Sequence, residues 1–246
     1  MRKFGLIGYP LSHSFSQKFF TSKFEALGID AVYENFPIEN IEDLLAVIKA
    51  QPDLVGLNVT IPYKTSVIKL LDDIDDQAKS IQAVNTIKIE RNGSDVKLLG
   101  CNTDVIGFKD SIEQHTKGHQ QALIIGTGGA AKAVYHVLTD MDIQCDLVSR
   151  NPELGDYIYE DLTEEIIWEY TIIVNCTPLG MYPNVAEAPD IPYDAITPEH
   201  VLYDLIYNPQ ETLFLKKGKA KGATCINGLK MLEIQAEKSW EIWNKS

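Results

Sequence analysis

The sequence predicts an α/β protein built on mostly parallel sheets, and three observations carry that expectation. Short apolar runs of strand length alternate with helix-period segments from end to end. One such run, Ala122-Leu123-Ile124-Ile125, passes straight into a glycine-rich turn and then a helical stretch. The 246 residues, 45% hydrophobic and 23% charged, suit one large folded core or two modest ones.

Taken in order, Lys3 to Gly8 reads as the first strand. Ser16 to Leu27 follows as a helix with Phe19, Phe20, Phe24 and Leu27 on one face, and Gly28 is a natural left-handed stop. A second helix carries the stripe Ile38, Ile41, Leu44, Leu45 and Ile48 and ends near Gln51-Pro52, because the residue before proline avoids the α region. A strand at Leu54 to Thr60 leads to a helix from about Tyr63 to Leu71. The acidic run Asp72 to Asp76 reads as a solvated loop and helix start. Val84 to Glu90 and Val96 to Leu99 form a hairpin around Arg91-Asn92-Gly93-Ser94, where Asn-Gly is a strong turn signal.

The pattern changes after Asp104. From Gln121 a buried strand, the glycine turn and a helix are followed by strands at Cys145 to Ser149, Thr171 to Asn175, Val201 to Leu205 and Ala223 to Ile226, which reads as a doubly wound unit. The final segment is a helix with Leu232, Ile234, Trp240 and Trp243 as its core face.

Composition removes several functions. Against 35 acidic residues stand 22 basic ones, a net charge of −13, so no broad electrostatic grip on nucleic acid or anionic lipid is expected. Any anionic ligand must be held by local donors. Cys101, Cys145, Cys176 and Cys225 form no CxxC pair, which points to a reduced, cytoplasmic setting and no metal site. His115 and His119 have metal-compatible spacing without a third ligand nearby. The apolar stretch Phe4 to Ile7 is too short for a signal peptide, and no run approaches the ~18 apolar residues of a membrane span.

The glycine turn, Gly126-Thr127-Gly128-Gly129-Ala130-Ala131, matches GxGxxA between a strand and a helix, the context in which helix N–H groups face a pyrophosphate. The alternative is a ligand-free turn, which the flanking strand and helix disfavour. Arg150, closing the next strand in Ser149-Arg150-Asn151, suits the 2′-phosphate of NADP, whereas Asp146 opens that strand rather than closing it. A solvated surface charge is the competing reading of Arg150. In the first half, Gly8 to Ser16 packs hydroxyls and His13 into a strand-to-helix junction, where Ser14 or Ser16 also suits a helix cap. Asn58 and Thr60 end a buried strand with polar groups costly to bury unpaired. Lys64 opens the helix after them against its macrodipole, which suggests a partner, although a surface lysine is the simpler reading. Asn85-Thr86 and Asn102-Thr103-Asp104 bring two amide-hydroxyl pairs and a carboxylate to the hairpin ends, as ligand groups or as Asx turns.

Along essentially its whole length the chain resembles the shikimate dehydrogenases. The resemblance rests on GxPxxHSxS at Gly8 to Ser16, NVTxPxK at Asn58 to Lys64, AVNT at Ala83 to Thr86 and GxNTDxxGF at Gly100 to Phe108. It continues with GxGGAxxA at Gly126 to Ala133, NxTPxGM at Asn175 to Met181 and NGLxMLxxQA at Asn227 to Ala236. It implies two lobes: an α/β substrate-binding and catalytic domain over 1–104 completed by a C-terminal helix over 227–246, and a Rossmann-type, doubly wound NADP-binding domain over 105–226. It further implies reversible reduction of 3-dehydroshikimate to shikimate with NADPH, in the biosynthesis of chorismate and the aromatic amino acids, by a monomer or homodimer.

Residue by residue, the resemblance makes Lys64 and Asp104 the catalytic pair. It gives Ser14, Ser16, Asn58, Thr60, Asn85, Tyr207 and Gln235 to the substrate. Gly126, Thr127, Gly128, Gly129, Ala130, Ser149, Arg150, Asn151, Thr177, Leu205, Gly228 and Met231 fall to the nucleotide. Ketone reduction needs one positioned acid beside the developing alkoxide, a task for Lys64 that requires no metal. Two related readings stand beside this one, a quinate/shikimate enzyme using NAD and a catalytically silent nucleotide sensor. The chain departs from the family pattern at Ser149 to Asn151, at Leu154 in place of a second arginine, at Gln82 and Lys230 in place of glycines, and the first two bear on NADP selectivity.

Overall fold

The structure is a computed structural model that describes residues 1–11, 15–93 and 95–245. The chain divides into two compact units, Met1–Thr103 with Ala236–Ser246, and Asp104–Gln235.

Unit 1 contains β1 (Arg2–Gly8), α1 (Phe15–Leu27), β2 (Ala31–Pro37), α2 (Leu44–Ala50), β3 (Leu54–Val59), β4 (Asp73–Ile74), α3 (Asp76–Ile81), β5 (Thr86–Asn92) and β6 (Asp95–Cys101). Its sheet has the order β2-β1-β3-β5-β6-β4. The pairs β1–β2, β1–β3 and β4–β6 are parallel, β3–β5 is antiparallel, and β5–β6 is antiparallel as the Asn-Gly hairpin between them requires. Strand alternation then decides what each face carries. Leu57 and Val59 of β3 join Ile41, Leu44 and Ile48 in one core layer. On the opposite face Phe4 and Leu6 of β1 pack with Phe20, Phe24, Tyr33 and Trp243 in an aromatic layer. The Trp243 indole N–H, buried there, donates to the Ile87 carbonyl at 3.0 Å.

Unit 2 contains α4 (Asp104–Ile112), β7 (Gln121–Ile125), α5 (Gly129–Asp140), β8 (Gln144–Val148), α6 (Glu164–Glu169), β9 (Ile172–Asn175), β10 (Val201–Asp204), α7 (Leu213–Ala220), β11 (Thr224–Asn227) and the first part of α8 (Leu229–Asn244). Its sheet is parallel throughout, in the order β11-β10-β9-β7-β8. The chain leaves β7 for β8 on one side and then crosses to β9 on the other. The ends of β7 and β9 therefore flank a topological switch point, where ligands bind in doubly wound sheets. Leu123, Ile125, Val148, Ile173 and Leu202 fill one face with Ile167 and Phe214. On the other, the Ser111 and Tyr203 hydroxyls meet at 2.7 Å and Phe108 packs edge-on to Tyr203.

Three sequence expectations are corrected. The segment from Tyr63 to Leu71 is not an α-helix: a 3-10 helix covers only Ser66–Leu70. Thr65, Val67 and Ile68 are β-branched and poor α formers, and the N–H groups of Ile68 and Leu71 bond three residues back. Lys64 therefore lies in a turn rather than at a helix N-terminus, so the macrodipole argument for it does not hold. Strand β2, absent from the sequence reading, is an edge strand whose Glu34 and Asn35 blur the alternation. Leu27 and Leu45, assigned to core faces, are exposed.

Among the described residues no helix is long and apolar enough to cross a membrane, and no group of three or more His, Cys, Asp or Glu could hold a metal ion.

Candidate active site

In unit 1 the polar residues gather at the carboxyl ends of β1 and β3. The Thr60 N–H donates to the Ile7 carbonyl at 2.9 Å and the Tyr9 N–H to the Ile61 carbonyl at 3.1 Å, which brings these two strand ends side by side. Lys64 follows in the half-buried turn, its carbonyl accepting the Val84 N–H at 2.7 Å. That bond joins the lysine turn to the strand entry carrying Asn85.

Asn58 and Asn85 belong to one buried hydrogen-bonded network. The Tyr33 hydroxyl donates to Asn58 Oδ1 at 2.8 Å, and Asn58 Nδ2 donates to Ser239 Oγ at 2.9 Å and Thr86 Oγ1 at 3.3 Å. Asn85 Nδ2 donates to Thr103 Oγ1 at 3.0 Å while its Oδ1 accepts the Thr103 N–H at 2.7 Å. The Thr86 and Ser239 hydroxyls meet at 2.8 Å. Burial pushes the Tyr33 hydroxyl far above its ordinary range, and a hydrogen bond from Ser16 opposes this in part. A buried network with every member partnered is rigid, so it holds the two amides in fixed orientations. Ser16 is buried in α1, Thr60 is half-buried, and Ser14 and His13 lie outside the described residues.

Gln82, one of the departures from the family pattern, caps α3 in the left-handed conformation, φ 53° and ψ 43°. The turn before Ala83-Val84-Asn85 thus keeps a backbone suited to glycine without having one.

In unit 2 the turn after β7 has the form a phosphate needs. Gly126 takes φ +110°, closed to ordinary L-residues, and its N–H donates to the Val148 carbonyl at 2.9 Å. At Gly128 a Cβ would meet nothing within 4 Å, so open space lies over the start of α5. That helix has no side-chain cap and no acidic residue in its first turn, which leaves the N-terminal end suited to an anion. The donor set fits a dinucleotide pyrophosphate.

At the end of β8 the buried Ser149 accepts the Asn151 N–H at 3.0 Å, and Arg150 is exposed. Asp146 lies inside β8, where its carboxylate accepts the Tyr170 hydroxyl at 2.6 Å. At the end of β9, Asn175 Oδ1 accepts both the Thr177 N–H and its hydroxyl, at 3.0 and 2.7 Å. Leu205 follows β10 and touches Gly228 closely: a Cβ on Gly228 would lie 2.0 Å from the Leu205 carbonyl oxygen. Met231 and Gln235 are buried on α8, Tyr207 is half-buried, and Asp104 is buried as the first residue of α4, a helix end that favours negative charge.

Sequence reasoning missed Tyr33 and Ser239 as partners of the asparagines, and Asp204 as the carboxylate beneath the turns after β9 and β10. A serine spaced with Ala236 and Trp243 on an otherwise apolar helix face was the signal for Ser239.

Comparison with known proteins bears on both units. Residues 6–87 match the family model of the shikimate dehydrogenase substrate binding domain. A shikimate dehydrogenase (NADP(+)) of Methanococcus maripaludis is 41% identical over 97% of this chain and 90% of its own length. One from Clostridium beijerinckii is 43% identical over 100% of this chain and 93% of its own. A crystal structure of shikimate 5-dehydrogenase from Thermus thermophilus, in complex with NADP(H) and shikimate, superposes with a TM-score of 0.86 at 29% identity over 99% of this chain and 94% of that one.

Proposed function

We infer the reaction, and the work of each residue in it, from one premise: the chain belongs to the shikimate dehydrogenase family. It is an NADP-dependent oxidoreductase that interconverts 3-dehydroshikimate and shikimate in the route to the aromatic amino acids. The observation that carries this reading is a family match extending over 97% or more of the chain, and so over both units.

The residues divide by chemistry. NADPH supplies two electrons and a hydrogen to the ketone carbon when bound. Gly126 gives the turn its left-handed bend, and Thr127, Gly128, Gly129 and Ala130 present main-chain N–H groups to the cofactor's pyrophosphate. Ser149, Arg150 and Asn151 take the adenosine 2′-phosphate, with Arg150 supplying the positive charge that separates NADP from NAD. Thr177, Leu205, Gly228 and Met231 hold the other half of the molecule. The position of Asp146 within β8, already engaged by Tyr170, keeps a carboxylate away from the ribose hydroxyl that NAD would offer.

For the substrate we assign Ser14 and Ser16 to the carboxylate, and Asn58, Thr60, Asn85, Tyr207 and Gln235 to the ring hydroxyls and their surroundings. The Asn58 and Asn85 amides, held in direction by their network, and the hydroxyls beside them discriminate against an analogue lacking a ring hydroxyl, because the bonds they offer the substrate then go unmade. Lys64 delivers the proton to the oxygen that gains charge as the ketone is reduced, and takes it back in the reverse direction. Asp104 accepts from the neighbouring ring hydroxyl and so fixes which carbon of the ring reacts. None of the four cysteines is in a disulfide, which fits a reducing cytoplasm, and one chain carries all the assigned residues, which suits a monomer or a homodimer with one site per chain.

The test of this assignment is Lys64→Ala. Loss of a positioned proton donor lowers kcat about 10²-fold or more, with NADPH affinity within about twofold of wild type. An unchanged kcat removes Lys64 from the chemistry.

A further inference from the structure

Asp204 ends β10 and is fully buried. Its partners are all neutral. Oδ1 accepts from Asn175 Nδ2 at 3.1 Å and from the Ile206 N–H at 3.0 Å, and Oδ2 accepts the Thr212 hydroxyl at 2.6 Å. Burying a carboxylate without a cation is costly, and here burial pushes the group up to about 6 while these hydrogen bonds pull it down. A methyl or methylene in the same place would cost the core far less, so the carboxylate calls for an explanation beyond packing.

The bonds made by its partners supply one. Asn175, held through Nδ2, accepts the Thr177 N–H and hydroxyl on its Oδ1, and its carbonyl accepts the Leu205 N–H at 3.0 Å. Ile206, held through its N–H, accepts the Gly228 N–H on its carbonyl at 3.1 Å. The turns that leave β9, β10 and β11 therefore hang on one side chain, and they carry Thr177, Leu205 and Gly228.

We propose that Asp204 is a positioning residue for the cofactor, fixing the three turns that hold its nicotinamide half. This rests on the assignment of Thr177, Leu205 and Gly228 to the nucleotide. Asp204 touches neither cofactor nor substrate; it acts through Asn175 and the Ile206 N–H. The adenosine half, at Ser149 to Asn151 beyond the far edge of β7, is independent of it.

The experiment compares Asp204→Ala and Asp204→Asn with wild type by fluorescence titration of NADPH and by competition with adenosine 2′,5′-bisphosphate, which carries only the adenosine half. Asp204→Ala leaves three donors without their acceptor and raises the NADPH Kd at least tenfold, with the bisphosphate Kd within twofold. Asp204→Asn keeps an acceptor for Asn175 and Ile206 and offers its amide to Thr212, so it recovers most of the loss. A folded Asp204→Ala that binds NADPH like wild type overturns the proposal, as does an equal loss for both probes. If Asp204→Ala does not fold, Thr212→Val, which removes only the donor to Oδ2, raises the NADPH Kd about threefold and spares the bisphosphate; an unchanged NADPH Kd there overturns it equally. Failure of the wild-type protein to bind NADPH at all would instead overturn the assignment of the nucleotide residues.

Discussion

Gly228→Ala is the sharpest perturbation the geometry offers. A Cβ at this position would lie 2.0 Å from the Leu205 carbonyl oxygen, 2.5 Å from its carbonyl carbon and 3.1 Å from its Cα. All three obstacles are main chain, so no rotamer change relieves them. The turn between β11 and α8 must move away from Leu205 by roughly 1 Å, and forced overpacking of this kind costs about 1–3 kcal/mol. For a chain of this size that lowers Tm by roughly 2–12 °C. The same movement stretches the bond from the Gly228 N–H to the Ile206 carbonyl, 3.1 Å in the native turn. A displacement of about 1 Å beside reacting groups costs on the order of 10²-fold in rate. A thermal melt by circular dichroism and initial rates at varied NADPH measure both effects, and kcat/KM for NADPH falls about 10- to 100-fold. A variant that melts and turns over like wild type would falsify the claim that this close approach shapes the site.

Two further outcomes follow from particular residues. Arg150→Ala raises the Kd for NADPH about tenfold or more and leaves that for NADH within about twofold, because only the former carries the 2′-phosphate; equal losses for both cofactors would assign Arg150 to the adenine or to nothing specific. Gln82→Gly relieves a left-handed residue that costs about 1–2 kcal/mol, less the ~0.4–1 kcal/mol by which glycine loosens the unfolded chain. The net gain of about 0–1.6 kcal/mol raises Tm by up to roughly 6 °C, and a lower Tm would mean that the bond from Gln82 Nε2 to the Lys79 carbonyl outweighs the strain.

The parts of the fold that were legible in the sequence share a physical cause. Parallel strands buried on both faces appear as unbroken apolar runs, so Ala122 to Ile125 and the strand ending at Asn175 were placed almost to the residue. The edge strand β2 has no such run, and with it went Tyr33, the donor that fixes Asn58. Beyond Lys64, Val67, Ile68 and Leu71 are apolar at a spacing that an α-helix and a 3-10 segment share over one turn, so the helix expected from Tyr63 to Leu71 and the 3-10 turn found there are hard to separate by pattern. Among the candidate site residues, those whose chemistry shows at a strand or helix end, such as Asn58, Asn85 and Asp104, stand out from their neighbours in the chain. Their supports do not: Ser239 lies 181 residues from Asn58. Asp204 and Thr212 bond across eight residues and a change of secondary structure, which no local pattern announces.

This chain oxidises shikimate with NADP, and steady-state formation of reduced nicotinamide, followed by absorbance with shikimate and quinate each offered NADP and NAD in parallel, tests that reaction. Saturable turnover with shikimate and NADP, exceeding the other three combinations, is the expected result. No turnover with any pair, from protein that still binds NADPH, would contradict the assignment of Lys64 and Asp104 and leave a nucleotide-binding protein without this chemistry.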